Sequence, residues 1–200
     1  MRIILLFVFL IQLNFGFAQK KFDPAAVAKF QQQINSEYAD PATSPLMEED
    51  LASFKTLDFY PANEKYFVTA KFVRTKKEKP FEMKTTGART PMYVKYGEAH
   101  FTLEGKNLKL NIYRNIALSE KPEYKDYLFL PFSDLTCGNE SYIGGKYIDF
   151  KIPKGKTIVI DFNTSYNPYC AYNHKYSCPI VPLENDLNVE IKAGVKKFHD

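Results

Sequence analysis

A chain of 200 residues that is 45% hydrophobic, 16% aromatic and 25% charged, with 9 Gly and 12 Pro, can bury one core, which excludes the disordered, collagen-like and low-complexity classes. Lys and Arg number 27 against 23 Asp and Glu, a formal +4 spread along the chain, too mild an excess to mark a nucleic-acid-binding protein.

Residues 1–18 read as a signal peptide: Arg2 is followed by an apolar run from Ile3 to Leu13, and Gly16 and Ala18 are small residues at a cleavage position that would leave Gln19 first. The run is shorter than the ~20 residues of a spanning helix, and no later stretch is apolar enough to cross. The expectation is an exported protein, periplasmic or secreted, with no transmembrane span after cleavage. Residues 19–56 read as a helical segment packing on a sheet. Asp23-Pro24 is a helix start, with Phe22 and Val27 at staple positions, and Val27, Phe30, Ile34 and Tyr38 form one apolar stripe. Asp40-Pro41 ends that helix, and Ser44-Pro45 opens a second short one with Glu48, Glu49 and Asp50 near its positive end.

Residues 57–200 read as strands. Tyr66 to Val73 alternates with period two and is rich in aromatic and β-branched residues; Met92, Val94 and Tyr96 repeat the pattern. Phe101 and Leu103, then Gly105-Lys106-Asn107, then Leu108, Leu110 and Ile112 predict a hairpin. Tyr127–Pro131, Tyr147–Ile152, Thr157–Asn163 and Leu187–Lys192 supply further strands, with Lys154-Gly155 as a tight turn between the middle two. The fold predicted is mainly β, an antiparallel β-sandwich or barrel-like domain of about eight or nine short strands with two short N-terminal helices.

Residues 161–185, DFNTSYNPYCAYNHKYSCPIVPLEN, are interrupted by Pro168, Pro179 and Pro182 and cannot form one regular element. Four tyrosines, Tyr166, Tyr169, Tyr172 and Tyr176, predict a packed loop over one end of the sheet. The loop holds Cys170 and Cys178, whose small ring a disulfide would close in an oxidising compartment; buried thiols and a metal site are the alternatives, the last weakest because no zinc-spaced partners stand nearby. His174, between them, reads as a solvated turn residue.

The run PFSDLTCGNESYIGGKYIDF from Pro131, the loop with its continuation DLNVEIKAG, and the earlier SPLMEEDLASFKTLDFYP together resemble the domain of unknown function 1684 (DUF1684) family. The matching positions include Asp134, Thr136, Gly138, Glu140, Tyr142, Gly145, Tyr147 and Asp149, then Asp161, Asn163, Tyr166, Asn167, Cys170, Tyr172, Cys178, Glu184 and Asn185. Cys137, Lys146 and Val195 depart from the family pattern. Cys137 then looks like an individual addition, which favours pairing Cys170 with Cys178. The resemblance implies a shared fold and a residue cluster, and no activity.

Asn and Asp in such a cluster stabilise turns, and tyrosine hydroxyls tie loops down. A pocket would instead use Tyr142, Asn163, Tyr166, Asn167, Tyr172 and Asn185 as aromatic and polar lining for a small molecule such as a sugar. A hydrolase would need carboxylates, from Asp149, Asp161 or Glu184, or the imidazole of His174. Familiar hydrolase, protease and nucleotide-binding motifs are absent. The expectation is a small-molecule-binding or structural envelope protein, its partner a small molecule or an envelope component, with no metal and no cofactor; a hydrolase using carboxylates beside the loop is the alternative.

Overall fold

The computed structural model describes residues 20–199, so the signal-peptide expectation lies outside the described residues. Helix α1 spans Pro24–Ala39, with the Asp23 carboxylate accepting from the Ala25 amide at 2.9 Å, and α2 spans Glu48–Ser53. The second helix begins later than Ser44-Pro45 because the Ser44 hydroxyl takes the Leu46 amide at 3.2 Å, a local turn that competes with helix. Strands follow as β1 (Phe67–Arg74), β2 (Phe81–Glu82), β3 (Met92–Leu103) and β4 (Lys106–Asn115). A short helix α3 (Ile116–Ser119) then leads to β5 (Tyr127–Asp134), β6 (Lys146–Lys151), β7 (Thr157–Asp161) and β8 (Asp186–Leu187).

The eight strands form one curled half-barrel sheet, which settles the choice between sandwich and barrel. Its order is β6-β5-β4-β3-β1-β7, all antiparallel, with β2 added beside β3 and β8 parallel to β5. The β3–β4 hairpin turns on Glu104 and Gly105, both with positive φ, the turn geometry that matches strand twist. Residues 154–155 do not make a hairpin of β6 and β7. These strands sit at opposite ends of the order, and Tyr147 of β6 exchanges two backbone hydrogen bonds of 2.8 and 3.0 Å with Tyr166, which follows β7 after one 3-10 turn, so the two edges are joined there.

Period two sorts the side chains. Val68, Ala70, Ala99, Phe101, Leu110, Ile112, Leu128, Leu130, Phe132, Ile148, Ile158 and Ile160 pack into the main core on one face. Met83, Tyr93, Tyr113, Phe129 and Tyr147 form a second cluster from the alternate positions. Residues 187–192 are expected as a strand, and their alternation is right: Leu187, Val189 and Ile191 are buried in the main core, as is Ala193 just beyond. Only Asp186–Leu187 pairs, because the amides of Val189 and Ala193 bond two residues back, to Leu187 and Ile191 at 2.8 and 2.9 Å, instead of to a neighbouring strand. The chain then runs tightly past Ser165 at Gly194, whose φ is +78° and where a Cβ would lie 2.4 Å from the Ser165 carbonyl oxygen.

Helix α1 packs on the loop and the C-terminal segment: its Ile34 and Tyr38 join Leu46, Leu57, Tyr172 and Val195 in a cluster whose buried members include no strand residue. The 161–185 loop is ordered by three single-turn 3-10 helices, Phe162–Thr164, Tyr169–Ala171 and Leu183–Asn185.

Candidate functional site

The alternate face of β5 and β6 is as aromatic as the inner one. Tyr127 and Phe129 point away from Leu128 and Leu130, and Tyr147 and Asp149 point away from Ile148 and Phe150. Over this face lie α1, presenting Phe30, Gln33 and Glu37, and the loop, presenting Tyr166, Tyr169 and Tyr176. Between them is a cavity of about 680 Å³, within the range of small-molecule sites.

Asp149 is the carboxylate that the sheet contributes to its lining. Its Oδ1 accepts from the hydroxyls of Tyr127 at 2.7 Å and Tyr166 at 2.8 Å. The side chain stays accessible from the cavity while protein crowds it on its other sides, and this burial raises the carboxyl above the usual range, against the two hydroxyls, which pull the other way. Burial together with the nearby Asp149 charge also raises the hydroxyls of Tyr127 and Tyr166, so both remain protonated donors. The Tyr147 hydroxyl donates to the Pro179 carbonyl, and the Arg89 guanidinium donates to the Ser177 carbonyl, which ties the loop to the segment before β3.

Of the carboxylates and imidazole singled out for catalysis, only Asp149 lines the cavity. Asp161 caps the Phe162–Thr164 turn and holds the Asn163 amide at 2.8 Å; burial raises its carboxyl. Glu184 and His174 are exposed elsewhere on the loop. The structure does not assemble these four groups into one site.

Of the candidate binding residues, Tyr166 alone lines the cavity. Asn163 is buried and pairs with both backbone groups of Asn63, at 2.9 and 3.0 Å. Asn167 is buried and donates to the Lys196 carbonyl at 2.8 Å. Tyr172 is core, edge-on to Tyr38 at 5.0 Å between ring centroids. Asn185 bridges two strands where a proline interrupts the ladder: it accepts from the Asn111 amide at 2.8 Å and donates to the carbonyls of Asn111 at 2.8 Å and Pro131 at 2.6 Å. Tyr142 stands 3.7 Å from the Cys170 sulfur, outside the cavity.

The disulfide expected between Cys170 and Cys178 is not formed; all three cysteines are free. The pair is held by hydrogen bonds instead, with the Cys170 amide donating to the Cys178 sulfur at 3.2 Å. The Cys178 thiol, and more weakly the Tyr142 hydroxyl, lower Cys170 to about 6, while the same contact raises Cys178. Among the described residues no group of three or more His, Cys, Asp or Glu could hold a metal ion.

A second polar cluster is entirely enclosed. Lys146 and Asp134, both with fully buried side chains, form an ion pair of 3.0 Å, and Lys146 also donates to the Ile191 carbonyl at 2.9 Å. Asp134 accepts from the Thr136 amide, the Thr136 hydroxyl and the Ile191 amide at 2.9, 2.7 and 3.1 Å. Ser141 lies 3.4 Å from the Lys146 ammonium, and all four side chains are buried outside the lining of the cavity, so this network locks the C-terminal segment to β5 and β6. A visible signal for Lys146 is its phase in β6, matching Ile148 and Phe150. The cavity residues that the sequence reasoning missed are Gln33 and Glu37 on α1, Tyr127, Phe129 and Arg89; the matching signal is that Tyr127–Leu130 is apolar on both faces, so both faces must be covered.

Residues 52–196 match the family described as Protein of unknown function (DUF1684). The chain is similar to a protein solved by solution NMR, the uncharacterized protein from gene locus rrnAC0354 of Haloarcula marismortui. The TM-score is 0.67 and the identity 27%, over 86% of this chain and 92% of that one. No curated protein matches it.

Proposed function

Since the chain belongs to the DUF1684 family, whose description carries no activity, we propose its function from the cavity: it binds a small organic molecule between α1, the outer faces of β5 and β6, and the tyrosine loop. The observation that carries this is a concave space of about 680 Å³ lined by tyrosine and phenylalanine, with the Asp149 carboxylate held among them by Tyr127 and Tyr166. The buried amides of Asn163, Asn167 and Asn185 serve that site indirectly, by making its covering loop rigid. Export belongs to the same proposal. It is supported by the apolar run from Ile3 to Leu13 followed by small residues at Gly16 and Ala18, and among the described residues no helix is long and apolar enough to cross a membrane.

Gln33 provides the test. It is exposed on α1, its side-chain amide bonds to Glu37 at 3.0 Å and to no other of the described residues, and it borders the cavity. Gln33→Trp is expected to narrow the cavity while leaving the fold intact. In a thermal-shift screen of small metabolites, compounds that raise the melting temperature of the wild type should fail on Gln33→Trp. A screen without a stabilising compound, or stabilisation indifferent to Gln33→Trp, overturns the proposal.

A further inference from the structure

We infer that the ligand is an organic ammonium ion, with its cationic head at the free oxygen of Asp149 and its apolar body among the surrounding rings. This rests on the reading of the cavity as a binding site. Three ionisable charges border it, Glu37, Arg89 and Asp149, and no lysine does. Arg89 donates to the Ser177 carbonyl, and Glu37 accepts from Gln33 on the exposed surface of α1, at the border of the cavity. Asp149 and Glu37 each keep one carboxylate oxygen with no hydrogen bond and no ion pair among the described residues, but Asp149 is flanked by Tyr127 and Tyr166, whose hydroxyls both meet its Oδ1, whereas Glu37 stands beside Gln33 on α1. Two donors on one oxygen fix it as an acceptor and leave the other oxygen to solvent or a ligand.

The rest of the lining narrows the ligand class. The hydroxyls of Tyr127, Tyr147 and Tyr166 are already given to protein acceptors, and the Ser177 hydroxyl pairs with that of Thr85 at 2.8 Å. The hydroxyls of Tyr93 and Tyr38 meet Asn115 and Tyr172, which leaves those of Tyr169 and Tyr176 as the lining tyrosine donors without a protein acceptor among the described residues, few for a sugar, which needs many fixed polar partners. The rings themselves remain, and aromatic faces attract cations, more strongly where water is excluded. An anion would meet the Asp149 carboxylate across a low-dielectric space. A bare Ca²⁺ or Mg²⁺ needs about six oxygens, and among the described residues no group of three or more His, Cys, Asp or Glu could hold a metal ion.

The test uses four probes of one shape: phenethylamine, its N-trimethyl derivative, phenethyl alcohol and phenylacetate, titrated calorimetrically into the protein at pH 7.5. Both ammonium probes should bind at least tenfold more tightly than the alcohol, and phenylacetate should not bind. Asp149→Asn, which can still accept from both tyrosines, should weaken the ammonium probes at least tenfold and leave the alcohol unchanged. If the variant does not fold, the wild-type series alone decides. Equal affinity for amine and alcohol, or amine binding untouched by Asp149→Asn, overturns the inference. So does absence of ammonium binding in a protein that still binds other screened compounds, and in each of these cases the reading of the cavity as a binding site survives. Absence of binding by every compound removes both.

Discussion

Lys146→Met removes the cation from the enclosed network while keeping most of the side-chain volume. Asp134 would then stay wholly buried, with hydrogen bonds from Thr136 and Ile191 but no counter-charge. The Ile191 carbonyl keeps the Ala193 amide at 2.9 Å, so the loss falls mainly on the stranded carboxylate. Breaking a buried pair by deleting one partner costs about 3–5 kcal/mol. Set against about 5–15 kcal/mol for a whole domain, that is a large fraction of the stability. At about 2–4 °C per kcal/mol for a chain of this size, melting should fall by about 6–20 °C. The double variant Asp134→Asn with Lys146→Met removes both charges, and since a buried pair is worth little more than a neutral replacement it should recover at least half of the loss. With 14 tyrosines and no tryptophan, urea unfolding followed by tyrosine fluorescence and far-ultraviolet circular dichroism measures both variants. A Lys146→Met loss below about 1 kcal/mol, or a double variant no more stable than the single one, refutes the assignment of this pair as a charge-locked structural clamp.

Asn185→Ala strands the Asn111 amide and the Asn111 and Pro131 carbonyls inside the sheet and should cost at least about 2 kcal/mol; an unchanged urea midpoint contradicts the bridging role. Burial raises the Asp149 carboxyl in spite of the two hydroxyls on its Oδ1, so its ionised form is costly in the folded protein. A carboxyl raised in the folded state favours folding most below its unfolded pKa and loses that advantage as pH rises through the folded one. Asp149→Asn should therefore melt above the wild type at pH 7 and converge with it at about pH 3, where both side chains are neutral; identical melting curves at pH 7 would contradict this. Cys170, held at about 6, should be alkylated by iodoacetamide ahead of Cys137 and Cys178 at pH 7, and Tyr142→Phe should move the midpoint of its rate profile upward. Mass mapping that finds Cys178 modified first would show that the thiol polarity is reversed.

Local rules in the amino-acid order determined the elements. Asp23 before Pro24 starts α1 because an acidic cap and a residue without an amide proton suit a helix N-terminus, and period two in Tyr66–Val73 and Leu108–Ile112 yields β1 and β4 because one face must meet the core. The proline-rich stretch from Asp161 to Asn185 is legible as packed loop, and its motifs carry the family resemblance. Whether Lys146 sits in water or opposite Asp134 depends on which face of β6 turns inward, and alternation narrows this to two choices without selecting one. The cavity is a tertiary property entirely. Gln33 and Glu37 on α1 meet Tyr127 and Asp149, about a hundred residues later, only because the sheet curls until its edges join at Tyr147 and Tyr166 and the loop folds back over the face so formed. For the same reason most of the polar loop residues that look like a site lie inside the protein: Asn163, Asn167 and Asn185 satisfy buried backbone, and that demand is set by chain crossings far apart in sequence.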